Sequence, residues 1–189
     1  PPEREQEEYA IPEGTAVLGT GVFSEAVHVK TLALPSTLAE LDTDDAVPAL
    51  EAFSVGDNHP SFFVRDGVLF SRDGEILVRY PEAKPGDTYA VPAGVKEIGG
   101  NAFPRSAVYL KHVTLPGGLL LIGDYAFDMC ETLQSVSIPD SAVYIGDGAF
   151  EGCVNLHTVR LPKNLLSIGS FAFIWSGLSG TLSVPEGVV

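Results

Sequence analysis

The fold is decided by a phrase that the chain contains twice. Residues 126–139 read Ala-Phe-Asp-Met-Cys-Glu-Thr-Leu-Gln-Ser-Val-Ser-Ile-Pro, and 23 residues later residues 149–162 read Ala-Phe-Glu-Gly-Cys-Val-Asn-Leu-His-Thr-Val-Arg-Leu-Pro. Self-similarity at a period of roughly 20 to 50 residues is typical of arrays in which each coil packs only against its neighbours. The phrase therefore predicts a solenoid, whose function belongs to its surface rather than to an enclosed pocket.

A triplet of two apolar residues around a variable one is the most constant element of the repeat. Apolar residues at every second position indicate a short strand buried on one face, and the proline that usually follows ends the strand because it has no N–H to donate. The copies, of which the third is degenerate, are Tyr9–Ile11, Leu32–Leu34, Phe53–Val55, Tyr89–Val91, Val113–Leu115, Val136–Ile138, Val159–Leu161 and Leu182–Val184. They predict a column of parallel strands, one from each rung.

A second apolar point, usually followed by glycine, comes six residues after the proline, as at Ile122-Gly123 and Ile145-Gly146. An Ala-Phe pair follows it, and we expect a short turn or a 3₁₀ piece around each pair. The phenylalanines recur in one phase of the repeat, so we predict that their rings fill the interior of the coil, rung after rung. They are Phe103, Phe127, Phe150 and Phe173, with Phe23 in the same phase.

The third and fourth triplets are separated by a segment that breaks the period. Residues 66–81 contain two runs rich in β-branched and aromatic residues around Asp73-Gly74. Asp-Gly between such runs is a strong hairpin signal, because it suits a type I′ turn. The sequence thus predicts a β-dominated, right-handed leucine-rich-repeat solenoid of about eight rungs over residues 9–189, with one inserted hairpin at about residues 62–81. Residues 1–8 are predicted to be an acidic, disordered lead-in.

These motifs resemble the BspA-like leucine-rich repeats, sometimes called the Treponema pallidum type, whose pattern is roughly L-x-x-V-x-I-P-x-x-V-x-x-I-G-x-x-A-F-x-x-C. Residues 133–153 match that pattern nearly throughout, and residues 156–173 repeat the match. The resemblance extends over almost the whole chain and includes the hairpin. It implies a bacterial cell-surface or secreted protein that binds host matrix proteins or other cells, and it brings no catalytic residues and no cofactor.

Charge narrows the classes of partner. The chain has 11 Lys and Arg residues against 25 Asp and Glu residues, a formal net charge of −14. A chain this acidic repels phosphate backbones and anionic membrane surfaces, so nucleic-acid and direct membrane binding are disfavoured. The sequence begins at Pro1 without a signal peptide and stops before the next expected Ile-Gly, so we interpret it as a fragment of a longer, processed surface protein.

Cys130 and Cys153 lie one repeat apart in the same phase. An extracellular family allows a disulfide between them. Against this, the equivalent positions elsewhere hold only small residues such as Ala26, which indicates a cramped interior, and equivalent side chains of stacked rungs run parallel rather than towards each other. We therefore favour two buried free thiols, with the disulfide as the alternative.

The remaining polar residues do not suggest catalysis. The four histidines occupy different repeat phases and are interpreted as surface residues, and Cys153 with His157 is not expected to form a reactive couple. The run Asp42-Thr43-Asp44-Asp45 is the nearest approach to a calcium loop, but it lacks the downstream ligands of one. We interpret it as a solvated acidic turn and predict neither a metal site nor an enzyme.

One surface feature stands out in the segment between the proline and the Ile-Gly point. The fourth and fifth residues after the proline are expected to face outward, and in the second half of the chain they are apolar: Leu120 and Leu121, Val143 and Tyr144, and Leu166. Stacked rungs would align them into an apolar ridge, a candidate protein-contact surface. The alternative is that one of the two columns turns inward.

Trp175, the only tryptophan, is a further candidate contact residue or a cover for the end of the solenoid. The preferred function is a non-catalytic, extracellular or cell-surface adhesion module that binds host matrix or other cell-surface proteins. The alternatives are an architectural spacer with no ligand of its own and, less favoured because no aromatic cleft is evident, a carbohydrate-binding unit. The sequence does not determine the oligomeric state.

Overall fold

The computed structural model describes residues 6–19, 21–23, 25–41, 46–105 and 107–189, and within these ranges the chain forms short β-strands and turns but no helix. Two strands come from most rungs, one from the apolar triplet and one from the Ile-Gly segment. The triplet strands are β1 (Glu8–Ala10), β3 (Thr31–Leu34), β5 (Ala52–Val55), β9 (Thr88–Ala90), β11 (His112–Thr114) and β13 (Ser135–Ser137). The second strands are β2 (Val17–Leu18), β4 (Glu40–Leu41), β10 (Glu97–Ile98), β12 (Leu121–Ile122), β14 (Tyr144–Ile145) and β15 (Ser167–Ile168).

The strands pair in parallel with equivalent residues in register, as the repeat predicts. Val113 lies opposite Tyr89 on one side and Val136 on the other, and Ile122 lies opposite Ile98 and Ile145. The triplets form two sheets, β1-β3-β5 and β9-β11-β13. Six of the eight predicted triplets thus lie in paired strands; a single bridge from Ser135 to Thr158 reaches the residue before the seventh, and residues 182–184 form no strand. Strand pairing between triplets therefore ends at this bridge.

The phenylalanines stack along the interior as predicted. Phe103, Phe127 and Phe150 are at most 1% exposed. Successive ring centroids from Phe103 to Phe173 are 4.4, 5.0 and 5.3 Å apart, and the rings are inclined by 12° or less. These distances match the spacing of neighbouring strands, so ring stacking and strand pairing reinforce each other. Turns, and no 3₁₀ pieces within the described ranges, surround each ring.

The predicted hairpin is a three-stranded antiparallel meander of β6 (Phe62–Arg65), β7 (Val68–Ser71) and β8 (Ile76–Arg79). The turn with two positive φ angles, expected at Asp73-Gly74, lies instead at Asp66-Gly67, with φ of 52° and 78°. At the predicted position the Asp73 carboxylate accepts hydrogen bonds from the Ser71 hydroxyl, at 2.6 Å, and from the backbone N–H of Glu75, at 3.0 Å. These bonds favour a four-residue loop in which only Gly74 is left-handed.

The meander is not a simple insertion, because its last strand belongs to the solenoid. β8 pairs in parallel with β10, with Leu77 opposite Ile98, so it replaces the second strand of a rung. Tyr80 follows it and stacks on Phe103 with a centroid distance of 5.2 Å. The aromatic stack therefore begins at Tyr80, one rung before the first Ala-Phe pair.

The first rung starts earlier than expected. Residues 1–5 lie outside the described residues, but Glu8 is already in β1, and the carbonyl of Glu7 accepts hydrogen bonds from the N–H groups of Lys30 and Thr31. Glu7 and Glu8 are thus part of the rung rather than of a disordered lead-in. The pairing of Glu8 with Thr31 extends the ladder beyond the apolar triplet.

Two hydrophobic cores result from this arrangement. One runs from Ile11 to Leu69, and the other runs from Val68 through the aromatic stack to Ala172. They meet at the meander, where the guanidinium of Arg79 donates to the Glu82 carboxylate at 2.7 Å and to the Asn101 carbonyl at 2.8 Å. The carboxylate of Glu82 also accepts from the N–H of Val47 at 3.3 Å. Because both charged side chains are at most 5% exposed, this ion pair links the two cores from the inside.

Candidate functional site

The predicted apolar ridge lies where β12, β14 and β15 begin. Leu120, Val143 and Leu166 stack directly, because the carbonyl of Leu120 accepts the N–H of Val143 and the carbonyl of Val143 accepts the N–H of Leu166, each at 2.9 Å. One residue further, Leu121 lies opposite Tyr144, and Tyr144 lies opposite Ser167. The structure therefore brings the predicted ridge residues together as two adjacent columns across three rungs.

The inward-pointing and outward-facing residues of this segment follow the predicted pattern, and the two outward-facing columns differ in how exposed they are. The third residue after the proline and the Ile of Ile-Gly point inward, as at Leu119 and Ile122, which are both fully buried. Leu120 is 42% exposed and Leu166 is 63% exposed. Leu121, Val143 and Tyr144 are half-buried. Neither column turns into the core, and the first of the two is the more exposed.

Tyr144 connects this ridge to acidic side chains. The pKa of the Tyr144 phenol is raised by partial desolvation and by the nearby charges of Asp124 and Asp147. The phenol therefore stays neutral near pH 7.

Trp175 lies on the turn after Phe173, and in the sequence it comes after the strands that carry the ridge. Its side chain is 66% exposed, and its backbone is left-handed with a φ of 54°. The equivalent residues of the two preceding rungs, Met129 and Gly152, are also left-handed, with φ of 52° and 65°. The geometry thus presents the indole to solvent, and whether it contacts a partner stays a prediction.

Sequence reasoning missed three exposed aromatic residues, Tyr109, Tyr125 and Phe171, and the last two, which are 43% and 67% exposed, share one phase of the repeat. Tyr125 and Phe171 each directly precede an Ala-Phe pair and are left-handed, with φ of 57° and 59°. Asn101 and Gly148, which readily adopt that conformation, occupy the same phase in the other rungs. The signal was present in the aligned repeat, since tyrosine and phenylalanine replace asparagine and glycine there.

The two cysteines are free and buried, as predicted. The thiol of Cys153 donates to the carbonyl of Phe127 at 3.0 Å. Burial raises the pKa of Cys153 to about 12 and that of Cys130 well above its ordinary value. Both groups are therefore neutral thiols near pH 7, and this state does not suit a nucleophile.

One histidine differs from the prediction that all are at the surface. His59 is 1% exposed, and both of its ring nitrogens have hydrogen-bond partners. Nε2 lies 2.8 Å from the carbonyl of Pro35, and Nδ1 accepts from the N–H groups of Ser61 and Phe62, each at 3.2 Å. This set of bonds requires the neutral tautomer with the proton on Nε2 and gives His59 a structural role.

No group of three or more His, Cys, Asp or Glu residues converges on a metal position in the described part of the chain. Asp42, Asp44 and Asp45 of the acidic turn lie outside that part. The described residues include no helix with the length and apolar character needed to span a membrane.

Comparisons with known proteins agree with this geometry. The model of the BspA type leucine rich repeat region matches residues 87–188 in six copies, which is more than half of the chain. A leucine rich cell surface protein from Faecalibacterium prausnitzii is 25% identical, with a TM-score of 0.66 over 84% of this chain and 48% of that protein. A leucine-rich repeat protein from Bacteroides capillosus is 27% identical, with a TM-score of 0.58 over 65% of this chain and 96% of that one.

The pneumococcal vaccine antigen PcpA shares the fold, with a TM-score of 0.68 and 24% identity over 97% of this chain and 62% of the antigen. The chain spans less than two thirds of the length of the Faecalibacterium and pneumococcal proteins. No curated protein matches it at a significant level. The six repeat copies, the in-register parallel strands and the stacked phenylalanines place this chain in the family of BspA-type leucine-rich repeat proteins.

Proposed function

We propose that this chain is a non-catalytic recognition module of a cell-surface or secreted protein, and that it binds another protein, such as a host matrix or cell-surface protein, through the apolar ridge. The observation that carries the proposal is the column of Leu120, Val143 and Leu166 across three rungs, in which the two leucines are exposed and the valine between them is half-buried. Leu120 and Leu166 lie outside the buried core, so the core does not require apolar side chains at these two positions. Contiguous exposed apolar surface of this kind often marks a protein interface.

The likeness to a leucine rich cell surface protein supports an extracellular location. The family and the solenoid fold are typically non-catalytic, which supports recognition rather than an enzymatic role. The arrangement of reactive groups agrees, since both thiols are buried and neutral and the imidazole of His59 is held by backbone groups.

The test is binding of the 189-residue chain to a panel of matrix and cell-surface proteins, measured by biolayer interferometry. The double variant Leu120→Ser/Leu166→Ser removes the two most exposed ridge side chains. We expect its affinity for a bound partner to fall by about tenfold or more, while its unfolding free energy changes by less than about 1 kcal/mol.

The matched control is Val108→Ser/Val154→Ser, which makes the same kind of change at exposed apolar residues outside the ridge. Equal weakening by both double variants would contradict a ridge-specific contact. Absence of binding to every protein in the panel would contradict the recognition function and favour an architectural spacer.

A further inference from the structure

The surface beside the ridge combines an exposed aromatic ring with carboxylates. The ring of Tyr125 lies across the backbone of Gly148 in the next rung, and its nearest atom is 2.5 Å from the position that a Cβ of Gly148 would occupy. A carboxylate oxygen of Glu151 is 3.1 Å from the same position. Ring and carboxylate therefore converge on one point, and the absence of a side chain at Gly148 lets them do so.

Two more carboxylates lie in the neighbouring column. Asp124 accepts the N–H of Asp147 at 2.9 Å, and Asp147 accepts the N–H of Ser170 at 2.6 Å. Each of these bonds occupies one carboxylate oxygen and leaves the negative charge uncompensated. Within the described ranges no Lys, Arg or His nitrogen lies within 4.0 Å of the carboxylates of Asp124, Asp147 or Glu151.

The fold does not require an aromatic residue at position 125. A bulky residue with a φ of 57° is unfavourable, and Asn101 and Gly148 show which residue types fit this position. The ring is also only partly buried, with 43% of the residue exposed. A contact outside the chain accounts for the tyrosine better than stability does.

We propose that this face, formed by the ridge together with Tyr125, Asp124, Asp147 and Glu151, docks a basic segment of a protein partner and places an arginine or lysine side chain over the Tyr125 ring. The inference rests on the proposed recognition function and specifies the partner's chemistry. A cation is attracted by the face of an aromatic ring, and carboxylates beside the ring add charge-assisted hydrogen bonds. Since the charges of Asp124 and Asp147 lie near enough to act on Tyr144, the acidic column borders the ridge, so the segment would present apolar and basic residues together.

The probe is a fluorescein-labelled synthetic peptide of 12 residues that alternates arginine and leucine, compared with the same peptide carrying citrulline in place of arginine. Citrulline keeps the shape and loses the charge. We expect the citrulline peptide to bind the unaltered chain about tenfold or more weakly, as measured by fluorescence anisotropy.

Two protein variants distinguish the contribution of the carboxylate charges to peptide binding from that of the Tyr125 ring. Asp124→Asn/Asp147→Asn/Glu151→Gln keeps the oxygens that accept the backbone N–H groups and removes three charges, and we expect a loss of about tenfold or more in affinity for the arginine peptide. Tyr125→Asn installs the residue type of the preceding rung, and we expect a loss of about fivefold or more with unaltered folding.

The control is the triple variant Glu25→Gln/Asp57→Asn/Glu186→Gln, which changes the net charge equally at exposed residues elsewhere. Equal weakening by the two triple variants, or equal binding of the two peptides, would overturn the inference. So would binding of neutral oligosaccharides that depends on Tyr125 and not on the carboxylates. If a partner from the matrix-protein panel binds the acidic-face triple variant as well as the unaltered chain, this inference fails while the recognition function stands.

Discussion

The solenoid has two blocks that share a strand pattern and differ in their interiors. The amino-terminal block, β1 to β5, and the carboxy-terminal block, β9 to β15, both stack apolar triplets in parallel register. In the carboxy-terminal block four phenylalanine rings stack almost in parallel, whereas Phe23 in the amino-terminal block meets Tyr9 edge-on at 5.9 Å. The family model matches only residues 87–188, within the block that has the stack.

This difference shows that the triplet and the Ala-Phe pair have separable roles. The triplet is sufficient for a parallel ladder, because β3 pairs with β5 over four residues although the Phe53–Val55 triplet is degenerate. The Ala-Phe pair aligns the interiors of successive rungs into one core. Where it is absent, a separate core forms, and the meander with the Arg79–Glu82 ion pair joins the two.

The largest loss of unfolding free energy should come from a change in the stack of phenylalanine rings. Phe150 is fully buried between two parallel rings, so Phe150→Ala should lower the unfolding free energy by about 4 kcal/mol. Phe23→Ala should cost about 3 kcal/mol or less, because that ring meets Tyr9 edge-on instead of stacking and lines a small pocket. Urea unfolding followed by circular dichroism measures both. Equal losses would show that the two interiors are equivalent.

The second-largest loss of unfolding free energy should come from the Arg79–Glu82 ion pair, which links the two blocks. Glu82→Ala removes the carboxylate beside the Arg79 guanidinium and an acceptor for the N–H of Val47, and we expect a loss of about 3 kcal/mol. We also expect the single unfolding transition to split, because the two cores lose their internal link. Glu82→Gln, which keeps an oxygen acceptor, is the matched control. One cooperative transition in Glu82→Ala would show that the meander alone couples the blocks.

Alkaline pH should weaken the carboxy-terminal block through its thiols. The pKa of Cys153 is raised from 9.0 to about 12 by burial, so the unfolded chain loses this proton at a lower pH than the folded chain. The stability that this group contributes is complete below pH 9.0 and is lost as pH rises towards about 12. At pH 10 the loss is about 1.4 kcal/mol for the thiol.

Unfolding free energies at pH 8 and pH 10 test this, with Cys153→Ala as the comparison. The decrease between the two pH values should be about 1.4 kcal/mol smaller in the variant. An identical decrease would mean that the Cys153 thiol ionises normally in the folded chain.

The smallest effect should come from the carboxylates that link one rung to the next. Asp147→Ala removes the acceptor for the N–H of Ser170 and should cost about 1 kcal/mol. Asp147→Asn keeps an oxygen at the same place and should cost less than half of that. In the amino-terminal block Glu13 makes an equivalent link, since it accepts the N–H of Ser36 at 3.0 Å. If Asp147→Asn destabilises the chain as much as Asp147→Ala, the charge of Asp147, rather than its hydrogen bond, determines its contribution to stability.

The periodic part of this fold could be predicted from the sequence because one period fixes both the strand register and the ring stack. Val113, Val136 and their equivalents must pair once the coils are superimposed, and Phe127 must then meet Phe150. The same logic fails for Tyr80, which joins the stack from a segment outside the period. Its position depends on the length of the meander loops, and these follow from local hydrogen bonds such as those of Asp73.

The polar interior and the candidate surface were predictable to different degrees. The Arg79–Glu82 pair has no repeat equivalent, so no pattern could indicate that these charges are buried together. His59 is similar, because its partner Pro35 is 24 residues away and belongs to another rung. The ridge columns followed from phase alone, whereas Tyr125 was missed although the aligned repeat has asparagine and glycine at its position, where the structure shows a left-handed backbone.

The direction of the strand pairing has a mechanical consequence. Each strand bonds to its counterpart one rung away, so the backbone hydrogen bonds run along the long axis of the solenoid. Tension between the two ends therefore loads successive rungs in series. Each coil of 23 residues that detaches would add about 75 Å of extended chain. Under load the molecule would lengthen stepwise, in increments set by its own repeat.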